Sequence, residues 1–288
     1  MNIKYLTKSA VNAFIDAALK EDLGDGDHST LAAIPEDLEQ EAKLLIKGDG
    51  VIAGLTLAEW IFHRFDESLE VTLLKKDGQE VQEGEIGLMV KGKARSILST
   101  ERLVLNCMQR MSGIATYTRK LTEMIRHTET KLLDTRKTAP NFRLCEKWAV
   151  QIGGGVNHRF GLYDMVMLKD NHIDYAGGIT QAVSATKSYL NKKGKELRIE
   201  VETRNINEVR EALEVGGVDV IMLDNMLPSM MREAIQIIDG QCSTEASGGV
   251  TEKNIKEIAE TGVDFISVGA LTHSYSSMDI SLKAVNKK

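Results

Sequence analysis

A chain of 288 residues with 42% hydrophobic content can bury a substantial core and exceeds the usual single-domain size, which predicts one barrel-sized domain and a smaller companion. With 24 glycines and only 3 prolines, neither a collagen-like nor a disordered chain fits. The formal net charge of -6 disfavours nucleic acid and anionic membrane as partners, so an anionic ligand has to be met by a local cluster of cations. Cys107, Cys145 and Cys242 are odd in number, far apart and outside any CxxC pair, which suits reduced thiols and a cytoplasmic location. No apolar run approaches the roughly 20 residues needed to span a bilayer.

In chain order, the first segment places Val11, Phe14, Ile15, Ala18 and Leu19 at helical spacing and predicts an amphipathic packing helix. From about Gln40 to Ser99, short apolar runs alternate with turns such as Asp49-Gly50 and Asp77-Gly78, which predicts a small sheet domain with a covering helix. A lipoyl-like carrier would share those turns, but no modifiable lysine sits at a recognisable hairpin tip. The stretch RLVLNCMQRMSGIATYTRKLTEMIRH then predicts a long helix. After it, strand candidates KLLDTRK, DMVMLKD, LRIEVET, VDVIMLDN, a run ending near Ala246 and VDFISVGA alternate with helical patterns such as INEVREALEV and SMMREAIQII. Buried apolar strands separated by helices demand parallel pairing, either closed into a barrel or left as an open sheet.

Polar or flexible residues follow each apolar run: Arg136 and Lys137, Lys169, Glu202, Asp224, Ser247-Gly248-Gly249 and Gly269. In an α/β barrel these ends converge on one rim, where such folds place their sites. Arg136, Lys137, Arg159 and Lys169, with His158 nearby, form a cationic cluster in an acidic chain and predict a small polyanionic substrate. Glu202 and Asp224 end successive strands, and their carboxylates can hold Mg²⁺, bind sugar hydroxyls or stabilise a developing cation. The SGG and VGA strand ends offer bare backbone amides, followed by helix N-termini, to a phosphate. The loop GGGVNHRFG is neither a Walker loop nor a dinucleotide fingerprint. His28, His63, His127 and His273 lack metal-ligand spacing and are expected to pack or face solvent, and Cys107 and Cys145 are assigned no chemistry.

Taken together, EDLGDGD, ERLVLN, MSGIAT, DTRKTAP, GGGVNHRFGL, MLKDNH, IEVE, MLDN, EASGG and VGALTHS span nearly the whole chain, and through them it resembles the quinolinate phosphoribosyltransferases, decarboxylating enzymes of NAD synthesis. The resemblance implies an α/β protein with an N-terminal open α/β sandwich over residues 1–105, completed by a tail over 274–288, and an incomplete TIM-like barrel over 106–273. It also implies a homodimer with shared active sites. Quinolinate-binding positions fall on Arg102, Arg136, Lys137, His158, Arg159 and Lys169 by that resemblance. Positions for phosphoribosyl pyrophosphate fall on Glu202, Asp224, Ser247, Gly248, Gly249 and Gly269, with Mg²⁺ at Glu202 and Asp224. Catalysis would then rest with Lys137, Lys169, Glu202 and Asp224. Asn141-Phe142 and Trp148 depart from the common family residues and touch packing more than charge. A molybdenum-operon paralogue, a Schiff-base aldolase built on Lys169 and a non-catalytic anion-binding module are the rival readings.

Overall fold

Thr7 caps the first helix: its side chain accepts from the Ala10 N–H, one of the donors left unpaired at a helix start, and opens α1 (Lys8–Leu23). Only Val11 and Ile15 of the predicted stripe are buried along it, while Phe14, Ala18 and Leu19 are half-buried. The computed structural model describes residues 4–285; residues 1–3 and 286–288, at the ends of the expected sandwich and its tail, lie outside it. Next come α2 (His28–Ala33), β1 (Glu39–Ile46), β2 (Gly50–Val51), α3 (Leu55–Phe65), β3 (Glu70–Leu73), β4 (Glu80–Val81), β5 (Ile86–Lys93) and α4 (Ala94–Ile125). They are followed by β6 (Lys131–Leu133), α5 (Arg143–Ile152), β7 (Val166–Leu168), α6 (Asp170–Ala176), α7 (Ile179–Lys193), β8 (Ile199–Thr203) and α8 (Ile206–Val215). The chain ends with β9 (Val220–Asp224), α9 (Pro228–Ile238), β10 (Ser243–Ser247), α10 (Ile255–Ala259), β11 (Phe265–Ser267), α11 (Ala270–His273) and β12 (Ile280–Ala284). Two compact units result, one running up to Arg119 with Lys137–Gly154 and everything from Ala270, the other Lys120–Arg136 with Gly155–Gly269.

The first unit holds an antiparallel sheet in the order β12-β1-β5-β3, so the last described strand pairs with the first, Ile46 opposite Ile280. Ala42, Leu44 and Ile46 alternate into its core, and α3 turns Leu57, Ala58, Ile61 and Phe62 inward. The Asp77-Gly78 turn also serves that helix. Gly78 adopts φ 89°, and the Asp77 carboxylate accepts from the Leu55 and Thr56 N–H groups at 2.8 and 3.2 Å, capping α3 in place of a side chain at Gly54. Along α4, Val104, Met108, Met111 and Ala115 are buried at helical spacing.

The second unit is a six-stranded parallel sheet in the order β6-β11-β10-β9-β8-β7. Its strands are short and largely buried, and all five residues of β8 are buried, the signature of a parallel sheet covered on both sides. Between strands, α8 buries Val209 and Ala212, and α9 buries Met231, Ala234 and Ile238. Among the described residues no ladder joins the edge strands β6 and β7, so the barrel is incomplete; Val156 makes a single parallel bridge to Leu133.

Candidate functional site

In the second unit the strand ends carry the charge. After β6, Asp134 is fully buried and accepts from the Asn157 side chain and from the His158 N–H at 2.9 Å, which ties the Gly-rich loop to the strand end. Farther along the loop, Asp164 accepts from the Phe160 and Gly161 N–H groups at 2.6 and 2.8 Å. These two clamps define the course of Arg159, whose guanidinium donates to the Met165 carbonyl at 3.2 Å. Burial lowers the Arg159 pKa, and the positive charge of Arg136 lowers it further. Arg136 Nε is itself buried without a hydrogen-bond partner. Two guanidiniums that repel each other, one with an unused buried donor, make a receptor for an anion that accepts from both.

His158 is placed differently from its neighbour, with only 7% of its side chain exposed. Its Nδ1 accepts from the Arg159 N–H at 2.7 Å, and its Nε2 faces Glu200 at 2.9 Å and Glu245 at 3.3 Å. Burial opposes the imidazolium, but hydrogen bonds and charge from the two glutamates outweigh it and push His158 up to about 9. Because the Arg159 N–H occupies Nδ1, the cluster holds its proton on the Nε2 side, between the ring and the two carboxyls; burial raises the pKa of Glu200 as well. Neither glutamate is among the expected site residues. The signal for them is acid inside otherwise buried strands, IEVET and STEAS, where solvent cannot account for a carboxylate.

Across the same sheet, Lys169 at the end of β7 lies 3.2 Å from Glu202 at the penultimate position of β8. Burial raises the Glu202 pKa; Lys169 opposes the shift and the neighbouring Asp224 reinforces it. The expected carboxylate pair is therefore close enough to interact. Asn225, in the left-handed region at φ 52°, donates its N–H to the Ser247 carbonyl and its amide to Asp224, both at 2.8 Å, joining the ends of β9 and β10. Gly248 and Gly249 follow at φ 88° and 62°, and a Cβ on Gly248 would overlap the Asn225 amide. Gly269 follows β11, where the Val268 N–H bonds the Leu133 carbonyl at 3.0 Å. The helices expected behind these loops are short: α10 begins only at Ile255 and α11 has 4 residues. Loop amides rather than a long helix dipole are what these turns present.

Lys137 and Arg102 belong to the first unit. Arg102 is exposed on α4. The Lys137 carbonyl accepts from Thr272 at 2.7 Å, and the residue lines a cavity of about 490 Å³ with Arg110, Thr138, His273 and Tyr275. Arg110 stands 5.4 and 5.5 Å from the Phe142 and Tyr275 rings and 3.2 Å from buried Glu146, so this cavity is cationic too. Sequence reasoning missed Arg110, which reads as an ordinary polar position of an amphipathic helix, and set His273 aside as packed or exposed; it is exposed, at the end of α11. Elsewhere, burial pushes Cys107 up to about 12 and Cys145 well above the ordinary thiol range, so neither is a thiolate nucleophile. His63 bonds the Leu69 carbonyl and His127 pairs with Glu260, both at 3.1 Å.

The sequence matches the descriptions "Quinolinate phosphoribosyl transferase, N-terminal domain" over residues 27–112 and "C-terminal domain" over residues 114–283. It is 49% identical over 288 aligned residues to the chloroplastic nicotinate-nucleotide pyrophosphorylase [carboxylating] of Oryza sativa, covering 95% of this chain and 77% of that one. It is 42% identical to a probable nicotinate-nucleotide pyrophosphorylase [carboxylating] of Bacillus subtilis, covering 91% and 89%. In structure it is similar to NadC from Streptococcus pyogenes, at 38% identity and a TM-score of 0.90, covering 98% and 99% of the two chains.

Proposed function

The chain belongs to the quinolinate phosphoribosyltransferase family and is a decarboxylating phosphoribosyltransferase, and from that premise we propose how its strand ends divide the work of joining quinolinate to phosphoribosyl pyrophosphate. The observation that carries this reading is the mutual repulsion of Arg136 and Arg159 beside a buried, unpartnered Arg136 Nε. Quinolinate bears two adjacent carboxylates, the charge and shape that such a pair of forked donors accepts. Lys137, next in the chain, and Lys169 add positive charge for substrate, and Ser247, Gly248, Gly249 and Gly269 offer amides to phosphate.

When the sugar parts from pyrophosphate, positive charge builds on the ribose ring, and Glu202 and Asp224 supply the opposing field. The two carboxylates also offer hard oxygen donors, and a bound cation relieves the Asp224 repulsion that adds to the burial-driven rise of Glu202, so they suit Mg²⁺. Mg²⁺ held there would neutralise charge on the departing pyrophosphate. The pyridine nitrogen forms the new bond to the sugar carbon. Once that nitrogen is quaternised, the bond from the ring to its adjacent carboxylate breaks, carbon dioxide leaves, and the electron pair left on the ring carbon beside the positive nitrogen takes up a proton. Arg136 and Arg159 hold the reacting carboxylates in place through these steps.

The aldolase alternative needs a desolvated amine at Lys169, whereas that side chain is 49% exposed and paired with Glu202. A homodimer with sites completed by the partner is supported by the exposure of Arg102 on α4. A reducing, cytoplasmic setting is supported by three free cysteines, and no described helix is long and apolar enough to cross a membrane. The deciding experiment follows quinolinate by its ultraviolet absorbance. Loss of absorbance that depends on phosphoribosyl pyrophosphate and releases carbon dioxide is expected; absence of turnover with both substrates and Mg²⁺ present would overturn the assignment.

A further inference from the structure

β8 alternates, so Glu200 and Glu202 project to the same side of the sheet, Glu200 one pleat or about 6.6 Å beneath the strand end. Glu245 stands in the same relation to Ser247 on β10. These two deeper glutamates are 0% and 2% exposed; both oxygens of Glu200 and Oε1 of Glu245 are buried without a hydrogen-bond partner, so the His158 ring meets Glu200 as an ion-pair neighbour. Burying two carboxylates opposes folding, and apolar residues of similar volume would stabilise such a sheet better. Their visible work is on His158, whose Nε2 points between them at 2.9 and 3.3 Å.

The ligand atoms of His158, Glu200 and Glu245 lie within 4.8 Å of one another, close enough for one metal ion to bridge. The tautomer rules that out. With Nδ1 accepting from the Arg159 N–H at 2.7 Å, Nε2 carries the proton and has no lone pair for a metal. By the same count, both ring nitrogens are committed to protein groups. The ring is a strut between the sheet interior and the backbone of Arg159, whose guanidinium is steadied in turn by the Met165 carbonyl at 3.2 Å.

We propose that Glu200, Glu245 and His158 are positioning residues that hold the backbone of Arg159 so that its guanidinium meets a quinolinate carboxylate, and that His158 acts through Arg159 instead of touching the substrate. The proposal rests on the quinolinate reading above and revises it at one residue, since the family resemblance places His158 among the substrate-binding positions. A support that serves one substrate affects that substrate alone.

The test is a double-mutant cycle on kcat/KM for quinolinate, with KM for phosphoribosyl pyrophosphate measured alongside. His158→Leu is expected to lower kcat/KM for quinolinate by about tenfold and leave KM for phosphoribosyl pyrophosphate within about twofold. His158→Gln, whose amide N–H reaches the place of Nε2–H, should recover most of that loss. In an Arg159→Ala background, His158→Leu should cost less than about twofold more, because the side chain it aims is already gone. Glu245→Met, which keeps volume and removes the acceptor, should behave in the cycle as His158→Leu does, so the test stands if one variant fails to fold. Losses that multiply fully in the double variants, or a His158→Gln as impaired as His158→Leu, would overturn the proposal. Absence of quinolinate binding by the unaltered protein would instead overturn the substrate reading.

Discussion

Arg136 and Arg159 share one electrostatic problem, a pair of like charges at the edge of a buried sheet, and an anion is its natural solution. Replacing either by alanine removes a charge-assisted contact worth on the order of 1.5–3 kcal/mol, so quinolinate should bind more weakly while phosphoribosyl pyrophosphate is largely spared. Calorimetry with each ligand separately checks this; unchanged quinolinate affinity in both variants contradicts the assignment. Glu202 and Asp224 pose the opposite problem. Glu202→Gln and Asp224→Asn keep size and remove the charge that opposes the developing ribosyl cation, so turnover should fall more than quinolinate affinity does. Near-normal turnover of both amides at saturating substrates and Mg²⁺ would remove these residues from that role.

Among the elements, the turn after β10 is the one whose backbone leaves least room for change. Gly248 sits at φ 88°, where a side chain is strained, and a Cβ there would strike the Asn225 amide that bonds Asp224 at 2.8 Å. Gly248→Ala should therefore disturb two strand ends at once. Backbone strain of this kind costs about 1–3 kcal/mol, and the expected result is weaker binding of phosphoribosyl pyrophosphate with quinolinate affinity little altered. Asn225→Gly, which removes the obstructing amide at a position already in the left-handed region, should restore part of the loss. A Gly248→Ala protein that binds phosphoribosyl pyrophosphate normally would show that this turn is not the phosphate loop.

At the scale of the whole molecule, Arg102 tests whether one chain suffices. It is exposed on α4, and in a two-fold dimer each interface residue is presented twice, so a partner can complete a site. Arg102→Ala and Lys137→Ala should each be inactive alone. Unfolded together and refolded at random, half the dimers are mixed, and each mixed dimer has one site with an intact Lys137 and the partner's intact arginine, so about a quarter of the wild-type activity should return. Background activity with mixed dimers confirmed by tag pull-down would place both residues in the same chain's site.

The sequence by itself determined the parallel α/β character of the second unit, because apolar runs such as VIML and IEV alternate with amphipathic helices and admit little else. It also determined which strand ends carry charge, since Lys169, Glu202 and Asp224 stop those runs abruptly. Whether the strands close was beyond periodicity; the pairing order, with β6 and β7 left as edges among the described residues, decided it. The turn at Asp77-Gly78 was legible, but its second task of capping α3 was not, because the capped N–H groups lie 21 and 22 residues away in the chain. The sharpest difference falls at His158 and Arg159. As adjacent letters they read as two members of one cationic cluster. Tertiary packing separates them, sending the imidazole down between Glu200 and Glu245 and holding the guanidinium at Met165. Residue type fixes what a side chain can donate or accept, but strands brought together from distant parts of the chain decide which partner it meets.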